Sequence, residues 1–347
     1  MKKKITSSLA PMAGYTDYPL RKIAADFGAD YVVSEMISSV AMCMGDRKTA
    51  VLAKIGEGEA PVVLQLFGHD PAMMAEAARK LLSGDYPGCS YAAPPAGIDI
   101  NMGCPVKKIV MSGDGSSLMR TPDTACAVTS AAAEVCAKFG VPLSVKIRAG
   151  WDAGHINCAG FAAAMVRAGA SKITIHCRTR EQMYMPSADP SHAASVAEAL
   201  RGLEKSVILV GNGDIETLND AERYLACGCT EVAVGRAALG NPWIFRELSD
   251  PEHFVPPTVD EIKALAISLV EAVVREHGEP VGVRESRSRA AYFIKGMRGA
   301  ARVRERLNHA ETLSEFSGGH GTPCPYKYVT RPINPHNPNS FTQTVVF

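Results

Sequence analysis

No Cys-x-x-Cys pair occurs among the ten cysteines of this 347-residue chain, and their spacing follows no regular framework. Most lie in small-residue segments of helical character such as "TACAVTSAAAEVCAKFG", so they read as reduced thiols of a cytosolic protein and imply no metal site. The apolar run of about 18 residues that a membrane span requires is also missing, and the basic start "MKKKITSSLAPM" has no long apolar stretch behind it. A soluble, cytoplasmic protein with no membrane partner is expected. Net charge is nearly absent, 37 Lys and Arg against 36 Asp and Glu, which by itself argues for no polyanionic partner. Disorder is excluded too: 46% hydrophobic and 21% charged residues suffice to bury a large core, and the length fits one big domain with an annex.

The charge that is present is unevenly placed. Residues 281–309 hold Arg284, Arg287, Arg289, Lys295, Arg298, Arg302, Arg304 and Arg306 against Glu285 and Glu305, a local balance of 8 − 2 = +6. The remainder carries +1 − 6 = −5, so basic charge is concentrated late in the chain.

Eight short β-rich apolar runs recur up to about residue 240: "SSLAPM" (7–12), "YVVSEM" (31–36), "PVVLQLF" (61–67), "GIDINM" (97–102), "PLSVKIR" (142–148), "KITIHC" (172–177), "SVILVGN" (206–212) and "EVAVGR" (231–236). Between them lie Ala-rich stretches of helical period, for example 70–82 and 158–170. Continuously apolar strands alternating with helices require a parallel sheet covered on its outer face, and eight such units match a closed (β/α)8 TIM barrel over 1–248 better than an open sheet. A Pro-rich linker follows at 249–261, where Thr258 and Glu261 have capping-box spacing. An all-α helical domain is expected over 258–317, and an irregular tail over 318–347.

In such a barrel the active site lies at the carboxyl ends of the strands. These ends carry Pro11, Met12 and Ala13, then Glu35, Gln65, Asn101 with Cys104, Lys146 with Arg148, His176 with Arg178, Asn212, Gly213 and Asp214, and Gly235 with Arg236. The Gly-bearing turns after the last two strands can close bare N–H groups on an anion, with Arg236 adding charge-assisted bonds; they suit a phosphate. Lys146 stands among apolar neighbours and needs an anionic partner: a ligand that becomes negative, or a salt bridge to Glu35 or Asp99. Gln65 can donate and accept together, which suits the edge of a heterocycle. Cys104, in a loop after the fourth strand, is a nucleophile or a proton donor. No His or Asp adjoins it to force ionisation, which favours the donor.

These residues resemble a known family, the flavin-dependent tRNA dihydrouridine synthases. The resemblance rests on "LAPMAGYTDYPLR", "VVLQLFG", "DINMGCPVKKIVMSGDGSSLM", "VKIRAGWD", "IHCRTREQMY", "VGNGDI" and "GRAALGNPWIF", which are collinear over about residues 9–246, with a weaker echo in "FIKGMRGAARVRERLNHAE". It implies a barrel holding FMN, NADPH as reductant, and a helical tRNA-binding domain. It places Pro11, Met12 and Ala13 under the flavin, Gln65 and Lys146 on its ring, His176 near it, and Asn212, Gly213, Asp214, Gly235 and Arg236 on the phosphate side. Asn101 and Arg178 match positions around the uracil, and Cys104 the catalytic acid, which protonates C5 while hydride reaches C6. Arg284, Arg287 and Lys295 fall near one helix face and are expected to track RNA phosphates. Departures are Cys177 within His-Cys-Arg-Thr-Arg, the Ser116-Ser117 pair, "YMPSADPS" and "RSRAAYF". Two other readings share part of this pattern: an FMN barrel acting on a free pyrimidine, as in dihydroorotate dehydrogenases, and an RNA-binding protein without turnover. A monomer is expected.

Overall fold

Along "GIDINM" every residue is buried, yet the types alternate: Ile98, Ile100 and Met102 are apolar, while Asp99 and Asn101 between them are polar. A strand with two buried faces, one polar, must stand between an apolar outer layer and a hydrophilic interior. That is the situation of a barrel strand. In the computed structural model, which describes residues 4–203, 205–317 and Tyr326, eight parallel strands close in sequence order: β1 Ser7–Leu9, β2 Tyr31–Ser38, β3 Val62–Phe67, β4 Gly97–Met102, β5 Leu143–Gly150, β6 Lys172–Thr179, β7 Ile208–Asn212 and β8 Glu231–Val234. β1 pairs with both β2 and β8, so no edge remains. The chain is a (β/α)8 barrel followed by helices.

Helices cover the outside, among them Tyr18–Asp26, Pro71–Ser83, Pro122–Phe139, Cys158–Arg167, Ser191–Arg201 and Leu218–Ala226. Asp17 and Asp70 cap the first two, each accepting a backbone N–H. Inside, small residues Ala10, Val210 and Ala233 fill the β7–β8–β1 sector. The amino-terminal end is stoppered by polar groups: Glu231 accepts from Tyr31 Oη (2.9 Å) and pairs with Lys172 (2.7 Å), whose Nζ lies 4.0 Å from the Tyr31 ring centroid.

Two strands stop short of their apolar runs at the carboxyl end. β1 ends at Leu9 because Pro11 has no N–H to extend the ladder, although Ala10 still donates to Val234 O. β8 ends at Val234, and Gly235 and Arg236 pass into a turn.

The chain divides into two compact units, one containing the barrel up to Ala238 with Ile244–Phe254, the other Leu239–Trp243 and the chain from Val255 onward. In the second, Thr258 and Glu261 form the capping box of helix Val259–His277: Thr258 Oγ1 accepts from Glu261 N (3.2 Å) and Glu261 Oε2 accepts from Thr258 N (2.7 Å). Helices Glu279–Phe293 and Ala300–His309 follow, and the chain breaks at Ala310 before it resumes as Leu313–Ser317. A Cβ at Gly282 would stand 2.6 Å from Val274 Cα, so the first two helices cross where only glycine fits. Apart from Tyr326, the expected irregular tail at 318–347 lies outside the described residues. Among the described residues no helix is long and apolar enough to cross a membrane.

Candidate active site

The register of the barrel brings the polar strand ends to one height. Gln65 stands beside Asp99, Asn101 beside Lys146, Arg148 beside His176, His176 beside Asn212, and Asn212 beside Ala233. Closure sets Met12 against the last turn, its Sδ 4.0 Å from where a Cβ on Gly235 would be. The barrel-borne candidates, from Pro11 round to Arg236, therefore share one rim. A cavity of about 180 Å³ runs beneath them along the axis, lined among others by Pro11, Asp99, Ser144, Lys146 and Thr174.

The half-buried Cys104 sits in a loop fixed from three sides. Asn101 Oδ1 accepts from Gly103 N (3.1 Å) and Cys104 N (2.8 Å). Cys104 O accepts from Ser116 N (3.1 Å) and Ser116 Oγ (2.9 Å), and Arg148 Nε donates to Gly103 O (2.8 Å). Gly115, at φ +58°, lets this turn close, since a Cβ there would lie 2.9 Å from Cys104 O. Burial pushes the Cys104 thiol above its usual range; the Val106 N–H and the charges of Arg148 and Lys146 pull the other way without offsetting it. The sulfur is thus held as a thiol at neutral pH.

Lys146 makes no ion pair among the described residues. Neither anticipated protein partner holds it: Glu35 Oε2 accepts from Gly14 N (2.6 Å), and Asp99 Oδ1 and Oδ2 accept from Ser144 Oγ (2.5 Å) and Gln65 Nε2 (2.7 Å). Burial first, and then the charge of Arg148, bring the Lys146 ammonium down to about 8, with Asp99 offsetting part of the effect. The barrel thereby keeps a cation in want of an anion. His176 is pushed well below its ordinary value by burial and by the charges of Lys146, Arg148, Arg178 and Arg236, so it is neutral, and its Nε2 accepts from Arg178 (3.3 Å).

Two candidates are already engaged by other groups of the protein. Arg178, anticipated around the substrate base, is only 2% exposed and has a partner at each of its three nitrogens: it donates to Pro186 O (2.7 Å) and His176 and pairs with Asp214. Asp214, anticipated on the phosphate side, accepts from Arg178, Arg236 (2.9 Å) and Ala188 N (3.0 Å). Burial would raise its carboxyl, but these partners outweigh it and hold it low. It is a counter-charge that spaces two guanidinium groups, and its own charge opposes a phosphate. Arg236 also lies 4.7 Å from the Tyr184 ring centroid. Gly213, at φ +128°, admits the close approach of Ala188 and His176: a Cβ there would lie 2.8 Å and 3.1 Å from them.

In the second unit, Arg284 is exposed on helix Glu279–Phe293, Lys295 is exposed two residues past its end, and Arg287 is half-buried. Arg287 donates to Ala310 O from Nε (3.0 Å) and Nη2 (2.7 Å), sealing the end of the next helix, so the three do not form one free cationic face. Sequence reasoning gave no role to Arg148, Ser144 and Ser116, and weighed Asp99 only as a counter-ion for Lys146. Arg148 was legible only as a charge at an inward position of an apolar strand, and Ser116 only as a departure from the family pattern.

Acid, cations and glycine-rich turns converging over the open carboxyl end of a parallel barrel define a (β/α)8-barrel enzyme. A family model described as dihydrouridine synthase (Dus) matches residues 8–322. The chain belongs to the dihydrouridine synthase family and is an oxidoreductase. A probable tRNA-dihydrouridine synthase of Treponema pallidum is 33% identical over 322 residues, covering 91% of this chain and 92% of the relative. The tRNA-dihydrouridine synthase B of Pseudomonas putida is 34% identical over 309 residues, covering 87% and 86%. A probable tRNA-dihydrouridine synthase of Rhodobacter capsulatus is 37% identical over 299 residues, covering 83% and 85%.

Proposed function

We propose that this chain reduces the 5,6 double bond of specific uridines in tRNA, with FMN bound at the carboxyl end of the barrel and NADPH as the electron source. The observation that carries the reading is the thiol of Cys104, kept protonated by burial and pinned by Asn101, Ser116 and Arg148 at the barrel mouth.

The residues present fit a flavin phosphate. Gly235 leaves open space at the end of β8, where a Cβ would meet only Met12 Sδ at 4.0 Å, Arg236 adds a guanidinium, and Lys146 offers a buried ammonium that lacks a carboxylate. Asn212, Gly213, Gly235 and Arg236 would hold the phosphate side, with Asp214 fixing Arg236; Pro11, Met12, Ala13, Gln65, Lys146 and His176 would surround the ring. When bound, the flavin supplies the hydride that saturates C6. Cys104 holds at Sγ the proton destined for C5. Lys146 places positive charge where negative charge collects, and a buried ammonium does so without solvent reorganisation. Asn101 fixes the loop that presents Cys104 and stands next to the uracil.

A base stacked in folded RNA is out of reach of such a site, so the target nucleotide is turned out into the pocket. Supporting an RNA partner, Arg120 and Arg180 carry guanidinium carbons 4.7 and 4.9 Å from the Trp151 ring centroid, with no carboxylate partner among the described residues. Arg284 and Lys295 are exposed on the second unit. The reading is tested by mapping dihydrouridine in RNA from cells lacking this protein. At least one tRNA site should lose the modification, and an unchanged map overturns the substrate assignment.

A further inference from the structure

Asp99 is a buried acid, 3% exposed, to which the proposed chemistry gives no task. Its surroundings form a continuous chain of hydrogen bonds with a fixed direction. Ser144 Oγ donates to Asp99 Oδ1 (2.5 Å) and Gln65 Nε2 to Asp99 Oδ2 (2.7 Å); Asn101 Nδ2 donates to Gln65 Oε1 (2.9 Å); Gly103 N and Cys104 N donate to Asn101 Oδ1 (3.1 and 2.8 Å).

We infer that Asp99 is a positioning residue for Cys104, acting through the side-chain amides of Gln65 and Asn101. The amide of a glutamine or asparagine can be turned end for end, and only its neighbours decide which end faces which way. The carboxylate offers Gln65 nothing but an acceptor, so Nε2 faces Asp99 and Oε1 faces Asn101. Asn101 must then direct Nδ2 at Gln65 and Oδ1 at the backbone of Gly103 and Cys104. Were Gln65 reversed, Asn101 would turn as well and point Nδ2 at two N–H groups, donor against donor, and the thiol loop would be released. The direction of the chain starts at Asp99. It survives protonation of Asp99, because the proton is accommodated on the oxygen beside Ser144, whose hydroxyl turns to Ile98 O at 3.4 Å, while the other oxygen still accepts from Gln65.

That this placement serves proton donation rests on the function proposed above. The placement itself is measured without flavin or RNA, so the two readings fail separately. Full-length flavin-free protein is treated with iodoacetamide across a pH series, and modification of Cys104 is followed by peptide mass spectrometry with Cys126 as internal control. Asp99→Leu, which removes the acceptor, should speed alkylation of Cys104 about tenfold near neutral pH and move its pH midpoint down, because a buried donor is left unsatisfied and the loop opens. Asp99→Asn should stay within about twofold, since asparagine keeps an oxygen for Gln65 and turns its amino group to Ser144. Gln65→Leu should match Asp99→Leu, and the double variant should add nothing, as expected of one chain acting as a unit. The inference is overturned by an Asp99→Leu protein that alkylates like the wild type, by Asp99→Asn behaving like Asp99→Leu (a role for charge, not for the acceptor), or by additive effects. Should Asp99→Leu not fold, a Gln65→Leu protein with a wild-type Cys104 rate overturns it equally.

Discussion

Replacing Lys146 by methionine should make the flavin-free protein more stable at neutral pH. The ammonium is brought from an ordinary value of 10.5 to about 8, chiefly by burial and next by Arg148. At about 1.4 kcal/mol per pH unit, that drop sets a ceiling of about 3 kcal/mol on what the charge costs the fold. The side chain is not wholly enclosed, and solvent screening brings the working figure to roughly 2 kcal/mol. The sign follows from proton counting. The native chain releases this proton near pH 8 and the unfolded chain near 10.5, so between those values the unfolded state binds more protons and wild-type stability rises with pH. Urea unfolding of wild type and Lys146→Met at pH 7 and pH 10.5 isolates the effect, because every other group titrates in both proteins. The variant should be more stable by roughly 2 kcal/mol at pH 7, with the gain gone by pH 10.5. FMN should then stabilise the wild type more than the variant. A variant less stable at pH 7, or a gain that persists at pH 10.5, refutes the reasoning that the site holds a cation in want of an anion.

Gly213→Ala should destabilise the barrel by about 2 kcal/mol in thermal melts, because φ +128° is closed to alanine and the new methyl meets Ala188, and flavin titration should show weakened binding; unchanged melting would mean the turn relaxes freely. Thr258→Ala removes the cap of helix Val259–His277 and should cost about 1 kcal/mol, read as loss of protection in hydrogen exchange of that helix with the barrel strands unaffected.

The barrel was legible because its strands announce themselves twice, by apolar runs and by the helices between them. All eight are found, and the misplaced ends at β1 and β8 trace to Pro11 and Gly235, where the ladder loses a donor or the chain enters a turn. The thiol at Cys104, the unpaired Lys146 and the glycine turn at Gly213 were legible as residue types at strand ends. Partnerships were not. Arg178 and Asp214 are 36 residues apart, and only the β6–β7 register brings them together, so a single sequence gives no reason to cancel their charges against each other. Asp99 was visible solely as a possible counter-ion for Lys146; that it answers to Gln65 instead depends on the pairing of β3 with β4. Arg287 misleads for a related reason: helical spacing places it on a basic face, but its guanidinium is turned to the carbonyl of Ala310.

Purified Cys104→Ala protein, supplied with FMN, NADPH and tRNA lacking dihydrouridine, puts the proton donor directly to the test. It should bind FMN with its yellow absorbance, accept electrons from NADPH, and form no dihydrouridine by nucleoside mass spectrometry. Dihydrouridine accumulating at the wild-type rate would contradict the assignment of the proton to this sulfur, and a colourless variant would show that the thiol holds the site together instead.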